Sequence, residues 1–453
     1  MSTKDPGNSK QTNGNASRTS SSVDEMLLAA LERGADSLET GRYLITFKEG
    51  AATEGSQSLE AGGMRVADAR DFNDQDVVLE AVGDADAVVF PEIGVALVGG
   101  DVAQERGLSA QVAEATDSPV ESIDPELFVF SDVSPGQYLQ RVSTQTDNSP
   151  NEYLRGFLRA SELIANDLRL APAIQPGLTE EEEIMALGVT WGLNACRVPL
   201  SARSGAGIKV AVLDTGLDLG HPDFAGRPIV SAQFVGQPVQ DLHSHGTHCI
   251  GTACGMKTPS GATPRYGIAF RASIFAGKVL SNSGSSVSGS VLSGMNWAIA
   301  NRCAVISMSL GSQAGPQPYY TAAGQAALNN GLLIIAAAGN SFGLPTGAPA
   351  NSPTIMAVAS LDPSLSPSAF SNVGKIEIAA PGRDVFSSVP RPTRYGVKSG
   401  TSMATPHVAG CAALWAETST ALRGMNLWNR LRSAAKPLPF SASRVGAGLV
   451  QAP

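Results

Sequence analysis

From residue 208 onward the chain alternates between two patterns. Short runs that are apolar at nearly every position recur at Ile208–Asp214, Ile274–Leu280, Ala304–Leu310, Leu332–Ala338 and Thr354–Ala359. Between and after them lie stretches with helical character, Ser288–Asn301, Thr321–Asn329 and Thr405–Glu417. A strand that is apolar throughout must be buried on both faces, and such strands separated by helices predict a parallel sheet with both sides covered. The expected fold class is therefore α/β: three layers, with a mostly parallel sheet flanked by helices. Asp214 and Asn340 fall at or just past the C-terminal ends of two of these strands, where open α/β sheets place their sites.

The first third is patterned differently. Residues 1–24 are polar with little to bury, and Val23 to Arg33 reads as a short helix with Leu27, Leu28 and Leu31 on one side. Arg42–Phe47 and Met64–Ala67 read as strands, and Asp86–Val98 is strand-like, with Pro91 implying an edge or a bulge. Val102–Ala115 has helical character and Glu126–Phe130 is a last strand, which together make a small α+β domain. After it, Asn151–Leu170 carries Leu154, Phe157, Leu158, Leu163 and Ile164 on one helical side. Thr179 followed by Glu180, Glu181 and Glu182 reads as a capped helix start, and those carboxylates suit the positive end of the dipole without a metal. The expected organisation is an extension over 1–40, a small module over 41–132, a connector over 133–182 and a larger domain over 183–453.

Composition narrows the classes. With 43% hydrophobic residues in 453, there is material for two or three packed domains, and the 48 Gly and 28 Pro are spread among periodic segments. A net charge of −9 with no basic run longer than a pair argues against nucleic acid or an anionic membrane as partner. The longest apolar run, Leu332 to Ala338, is too short to span a bilayer. Met1 to Ser22 has no apolar core of a secretory signal, so the compartment stays open between the cytosol and export by an unrecognised route. Five cysteines leave at least one thiol unpaired, which fits a reducing compartment without requiring it.

Three glycine-punctuated segments carry the candidate chemistry: Val210-Ala211-Val212-Leu213-Asp214-Thr215-Gly216, His243-Ser244-His245-Gly246-Thr247-His248-Cys249, and Gly400-Thr401-Ser402-Met403-Ala404-Thr405-Pro406-His407. Pro406 is tolerated only near a helix start, where its missing N–H has no intrahelical partner anyway. A serine there faces unpaired backbone N–H groups and the positive end of the dipole, which suits a nucleophile whose reaction develops an oxyanion. A Gly-Thr-Ser before a helix is, taken alone, more often a plain N-cap.

Asp, His and Ser in that order is the arrangement of subtilisin, and the three segments resemble the signature motifs of the subtilisin-type serine peptidases. A fourth, Ala336-Ala337-Ala338-Gly339-Asn340, resembles that family's oxyanion segment. The resemblance implies a serine endopeptidase in which Ser402 is the nucleophile, His245 the base and acid, Asp214 the orienting carboxylate and Asn340 an oxyanion donor. It further implies a peptide-binding edge at Ser309-Leu310-Gly311, with Ala336, Ala337 and Gly339 as the facing wall. These segments are uncharged, so the expected specificity is broad with a lean to apolar residues. Ser285–Ser288 lacks the aromatic often found in the family there, which weakens selection further from the cut.

Asp241, His243, His245, His248 and Cys249 are dense enough for a zinc site. The resemblance instead gives His245 to the triad, packs His248 behind it, puts His243 on the cleft rim and makes His221 and His407 structural, so no metal is expected. Cys249 resembles the free thiol beneath the catalytic histidine of proteinase K-like relatives, which implies inhibition by mercurials. Residues 255–265 offer no carboxylate where many relatives bind calcium, and no cofactor is expected. The α+β module resembles a subtilisin prodomain. That implies a self-processing zymogen, with the module as intramolecular inhibitor and a maturation cut in the connector. Two rivals remain: a processing protease dedicated to one partner, and a catalytically silent scaffold that binds peptides.

Overall fold

The structure is a computed structural model and describes residues 23–32, 38–72, 85–108, 118–131, 188–261 and 263–453. The expected helix over Asn151–Leu170 and the helix start at Thr179 lie outside the described residues.

In chain order, helix α1 (Val23–Glu32) precedes β1 (Glu39–Phe47), α2 (Ala52–Ala61), β2 (Val66–Asp68), β3 (Ala87–Phe90), β4 (Val95–Val98), α3 (Gly100–Glu105) and β5 (Val120–Phe130). Strands β3 and β4 pair antiparallel, Phe90 facing Val95. Asp86–Val98 is thus a hairpin and not one edge strand. Pro91 sits in its turn, where no ladder N–H is required. The stretch reads as continuously apolar because both faces are buried. Leu44, Val88, Phe90, Val95, Leu97 and Val129 join the main core, while Ile45, Phe47, Val89, Ala96 and Val98 form a second cluster with Leu59 of α2 and Ala103 of α3. Of the leucines expected on one side of α1, Leu27 is buried; the described buried face is Val23, Leu27 and Ala30.

The second unit begins with α4 (Trp191–Ala195) and continues through β6 (Lys209–Asp214), β7 (Ile229–Gln233), α5 (His245–Cys254), β8 (Ser273–Lys278), β9 (Ser285–Val287), α6 (Ser288–Ala300) and β10 (Val305–Met308). It is completed by α7 (Pro318–Asn329), β11 (Leu333–Ala337), β12 (Met356–Leu361), β13 (Ile378–Pro381), the hairpin β14 (Val385–Ser388) and β15 (Tyr395–Lys398), α8 (Thr401–Thr418) and α9 (Gly424–Ala434). Seven strands form one parallel sheet in the order β13-β12-β11-β10-β6-β8-β7. Helices α5 and α8 pack on one another and on the sheet, and α6 and α7 form a second helical pair. This is the expected three-layer α/β fold.

The edge strands β7 and β13 were not expected. β7 is only partly buried and polar at two of its five positions, and β13 is four residues ending in proline, so neither makes a long apolar run.

The N-terminal sheet rests on α6 and α7. Its last strand continues past β1 and pairs with β9, Phe128 facing Val287 and Phe130 facing Ser285, so the two units share one six-stranded sheet.

Candidate active site

Strand β6 delivers Asp214 to its C-terminal end, fully buried. Gly216 turns the chain away at φ 108°, and a Cβ there would meet the Val239 carbonyl at 2.1 Å, so only glycine fits. Asp214 Oδ1 accepts from His245 Nδ1 at 2.7 Å and from the Thr215 N–H at 2.7 Å. With Oδ1 as the acceptor of both contacts, Nδ1 carries the ring proton. His245 opens α5, and the preceding Ser244 is held in the left-handed region at φ 82°, local strain beside a functional residue.

Asp241, expected only as a carboxylate near His243, is the clamp that sustains that geometry. Its Oδ1 accepts from the N–H groups of His243 and Ser244, both at 2.9 Å, and from Thr215 Oγ1 at 3.0 Å. Its Oδ2 accepts from the Thr247 N–H at 2.9 Å and Oγ1 at 2.7 Å. A carboxylate just ahead of a helix start was the available signal; its partners were not legible.

Ser402 lies in the first turn of α8, 2% exposed. The helix begins at Thr401, four residues ahead of the expected Thr405, and Pro406 lies inside it. The missing Pro406 N–H would have bonded the Ser402 carbonyl. That carbonyl instead accepts from Ser309 Oγ at 2.8 Å and from Cys249 Sγ at 3.5 Å. Ser402 Oγ in turn donates to the Ser309 carbonyl at 3.3 Å.

Asn340 follows β11 and Gly339, whose φ is 107° and whose added Cβ would meet Asn372 Nδ2 at 2.5 Å. The Asn340 side-chain oxygen accepts from the Thr401 N–H at 2.8 Å and from Thr401 Oγ1 at 2.9 Å. Two donors on one side fix which amide atom is oxygen. The NH₂ end therefore points the other way.

Burial sorts the remaining histidines. It holds His243 down at about 4, His248 at about 3 and His407 at about 4, so all three stay neutral near pH 7. His248 Nε2 bonds the Val385 carbonyl at 2.9 Å, and His407 Nδ1 bonds the Met403 carbonyl at 2.9 Å. His221 Nε2 lies 2.9 Å from the Arg394 carbonyl, and its Nδ1 accepts the Asp223 N–H at 3.2 Å.

Burial also pushes the Cys249 thiol up to about 11, and its Sγ lies 3.9 Å from His245 Nδ1. Among the described residues, the one cluster with metal-ligand spacing is Asp214, His245 and Cys249, whose ligand atoms lie within 4.8 Å of one another. It differs from the dense sequence run around His243, and two of its members are already hydrogen-bonded to each other.

The edge expected to bind peptide, Ser309–Gly311, is occupied by the chain itself. Phe130 and Gly311 exchange both backbone hydrogen bonds, at 3.0 and 2.9 Å, and the Ser131 N–H donates to the Gly284 carbonyl at 2.8 Å. Ser309, Leu310 and Gly311 leave the end of β10, while Ala336 and Ala337 close β11 and Gly339 follows it. Ser309, Leu310, Ala336 and Ala337 are buried, and Gly311 and Gly339 are half-buried. No charged residue interrupts these segments.

Comparison with known proteins agrees with this geometry. The sequence model of the Subtilase family matches residues 205–448. An alkaline protease of Alkalihalobacillus alcalophilus is 39% identical over 293 residues, covering 63% of this chain and 74% of the relative. Subtilisin E of Bacillus subtilis (strain 168) is 36% identical over 288 residues, 60% of this chain and 73% of the relative. Subtilisin Savinase of Lederbergia lenta is 38% identical over 273 residues, 59% of this chain and 98% of the relative. The chain belongs to the subtilase family and is a subtilisin-like serine endopeptidase that acts on peptide or protein substrates.

Proposed function

We propose that Ser402, His245 and Asp214 are the catalytic triad and that Asn340 completes the oxyanion hole. The observation that carries this reading is the buried 2.7 Å contact between His245 Nδ1 and Asp214 Oδ1, beside the helix start that bears Ser402. Ser402 Oγ attacks the scissile carbonyl as His245 Nε2 takes its proton. The tetrahedral oxygen is met by Asn340 Nδ2 and the Ser402 N–H. His245 returns the proton to the leaving amine, which departs and leaves an ester on Ser402. A water then loses a proton to the same imidazole and attacks the ester, and the imidazole passes that proton to Ser402 Oγ as the acyl–oxygen bond breaks and the acid product leaves. Ser309–Gly311 and the facing Ala336, Ala337 and Gly339 bind the substrate as an added strand, and the uncharged walls favour apolar residues before the cut.

The same reading makes residues 41–132 a prodomain and the chain a self-processing zymogen. Strand β5 already lies in the groove as a substrate would, between Gly311 and Gly284. Val129 joins the main core, while Phe128 and Phe130 face the other way and pack under Val23, Leu27 and Ala30 of α1. The module therefore holds its groove segment through contacts that a free peptide lacks. The maturation cut falls just beyond Ser131, where the module over 41–132 meets the connector over 133–182. A peptide library incubated with the processed enzyme tests the specificity: broad cutting after apolar residues is expected, whereas a single cleaved sequence favours a dedicated processor. His245→Ala is expected to lose at least about a thousandfold in kcat; unchanged cleavage refutes the triad.

A further inference from the structure

We infer that the Ser309 hydroxyl is a positioning group for the nucleophile, standing in for the backbone donor that Pro406 removes. The inference rests on the reading of Ser402 as that nucleophile. In an α-helix the carbonyl of residue 402 would accept from the N–H of residue 406. Proline has none, yet α8 runs unbroken from Thr401 to Thr418 with Pro406 buried inside it. The freed carbonyl belongs to the residue whose side chain must be aimed most closely, and a buried carbonyl left unmet is costly.

Ser309, fully buried just past the end of β10, meets it with a hydroxyl at 2.8 Å. Cys249 Sγ, at 3.5 Å, is a weaker donor. The Ser309 backbone carbonyl accepts from Ser402 Oγ at 3.3 Å, so the two serines clasp each other hydroxyl to carbonyl in both directions. When Ser402 Oγ turns away to attack, its half of the clasp opens. The half made by Ser309 Oγ remains and keeps the first turn of α8 registered against the central sheet. A small misplacement of a reacting atom costs rate more than binding. Ser309 thus acts through Ser402, separately from any contact its backbone makes with substrate.

The test compares wild type, Ser309→Ala, Pro406→Ala and the double variant, each made as the full chain. Steady-state kinetics, the rate of fluorophosphonate labelling at Ser402 and a thermal melt are recorded for all four. Ser309→Ala is expected to lower kcat and labelling rate about tenfold with KM changed less than about twofold. Pro406→Ala in that background returns an N–H to position 406, closes the 402–406 bond and is expected to restore kcat to within about threefold of wild type. A residue that only lined the groove would not be rescued by an N–H returned at position 406. Wild-type kcat in Ser309→Ala, a loss confined to KM, or a kcat loss that persists in the double variant overturns the inference. If Ser309→Ala does not fold, the double variant decides alone: folded and labelled supports it, unlabelled or unfolded overturns it. If wild type itself is not labelled at Ser402, the assignment of the nucleophile fails instead.

Discussion

Asn340 shows how the site is built residue by residue: its amide oxygen is spent on Thr401, and that fixes where its donors point. Asn340→Ala is expected to cost about 10²–10³ in kcat with little change in KM, the loss known for such a donor in subtilisin itself. Unchanged kcat would remove Asn340 from the oxyanion hole. Cys249, fully buried between His245 and the Ser402 carbonyl, is raised by burial to about 11 and so is thiol and not thiolate at neutral pH. Mercuric chloride is expected to inhibit slowly, as the metal must displace that proton, and Cys249→Ala is expected to abolish the effect; sensitivity retained in the variant refutes the assignment. The segments that carry Asp214, His245, Ser402, Asn340 and Cys249 were legible because each is a short local motif. The roles of Ser309 and Asp241 were not. Both depend on which groups meet across long stretches of chain, and neither pattern of donors leaves a local trace.

Among the elements, α8 departs most from expectation, because Pro406 reads as a start signal but lies inside the helix. A proline is tolerated there once Ser309 serves the carbonyl it abandons. The five central strands were legible from continuous apolar runs, whereas β7 and β13 are short edges without that signature. The join between the two units was not legible at all. It turns on Glu126 of β5, fully buried, which accepts from Thr40 Oγ1 at 2.7 Å, Arg42 Nε at 2.6 Å and the Gly289 N–H in the first turn of α6 at 2.9 Å. The positive end of α6 and the guanidinium both favour that carboxylate. Glu126→Ala leaves a guanidinium beside an unpaired helix start, and breaking such a buried pair typically costs about 3–5 kcal/mol. In the full chain carrying Ser402→Ala, trypsin is therefore expected to remove the N-terminal module from the Glu126→Ala form far faster. Equal digestion rates would show that Glu126 is not part of the grip.

At the scale of the whole molecule, two buried histidines and the half-buried His243 set the acid limit. His243, His248 and His407 remain neutral in the folded state down to about 4, about 3 and about 4, chiefly because they are buried, whereas unfolded histidine binds a proton below about 6.5. Between those values the unfolded chain holds more protons, so stability is lost as pH falls from about 6.5 towards 4, and these groups contribute no pH dependence above it. The melting temperature is expected to drop across that window, with proton uptake on unfolding approaching about three and each proton worth about 1.4 kcal/mol per pH unit. His407→Gln is expected to remove about one of them; an unchanged slope contradicts the assignment. The central claim is that Ser402 is an activated nucleophile in a chain that cuts itself. The most direct measurement is fluorophosphonate labelling of wild type beside Ser402→Ala, with the intact mass of each. The account predicts that wild type is labelled and shortened to a new N-terminus just beyond Ser131, while the variant is unlabelled and full length. A variant that still labels, or a Ser402→Ala chain that still loses its N-terminal segment in the absence of other proteases, would contradict it.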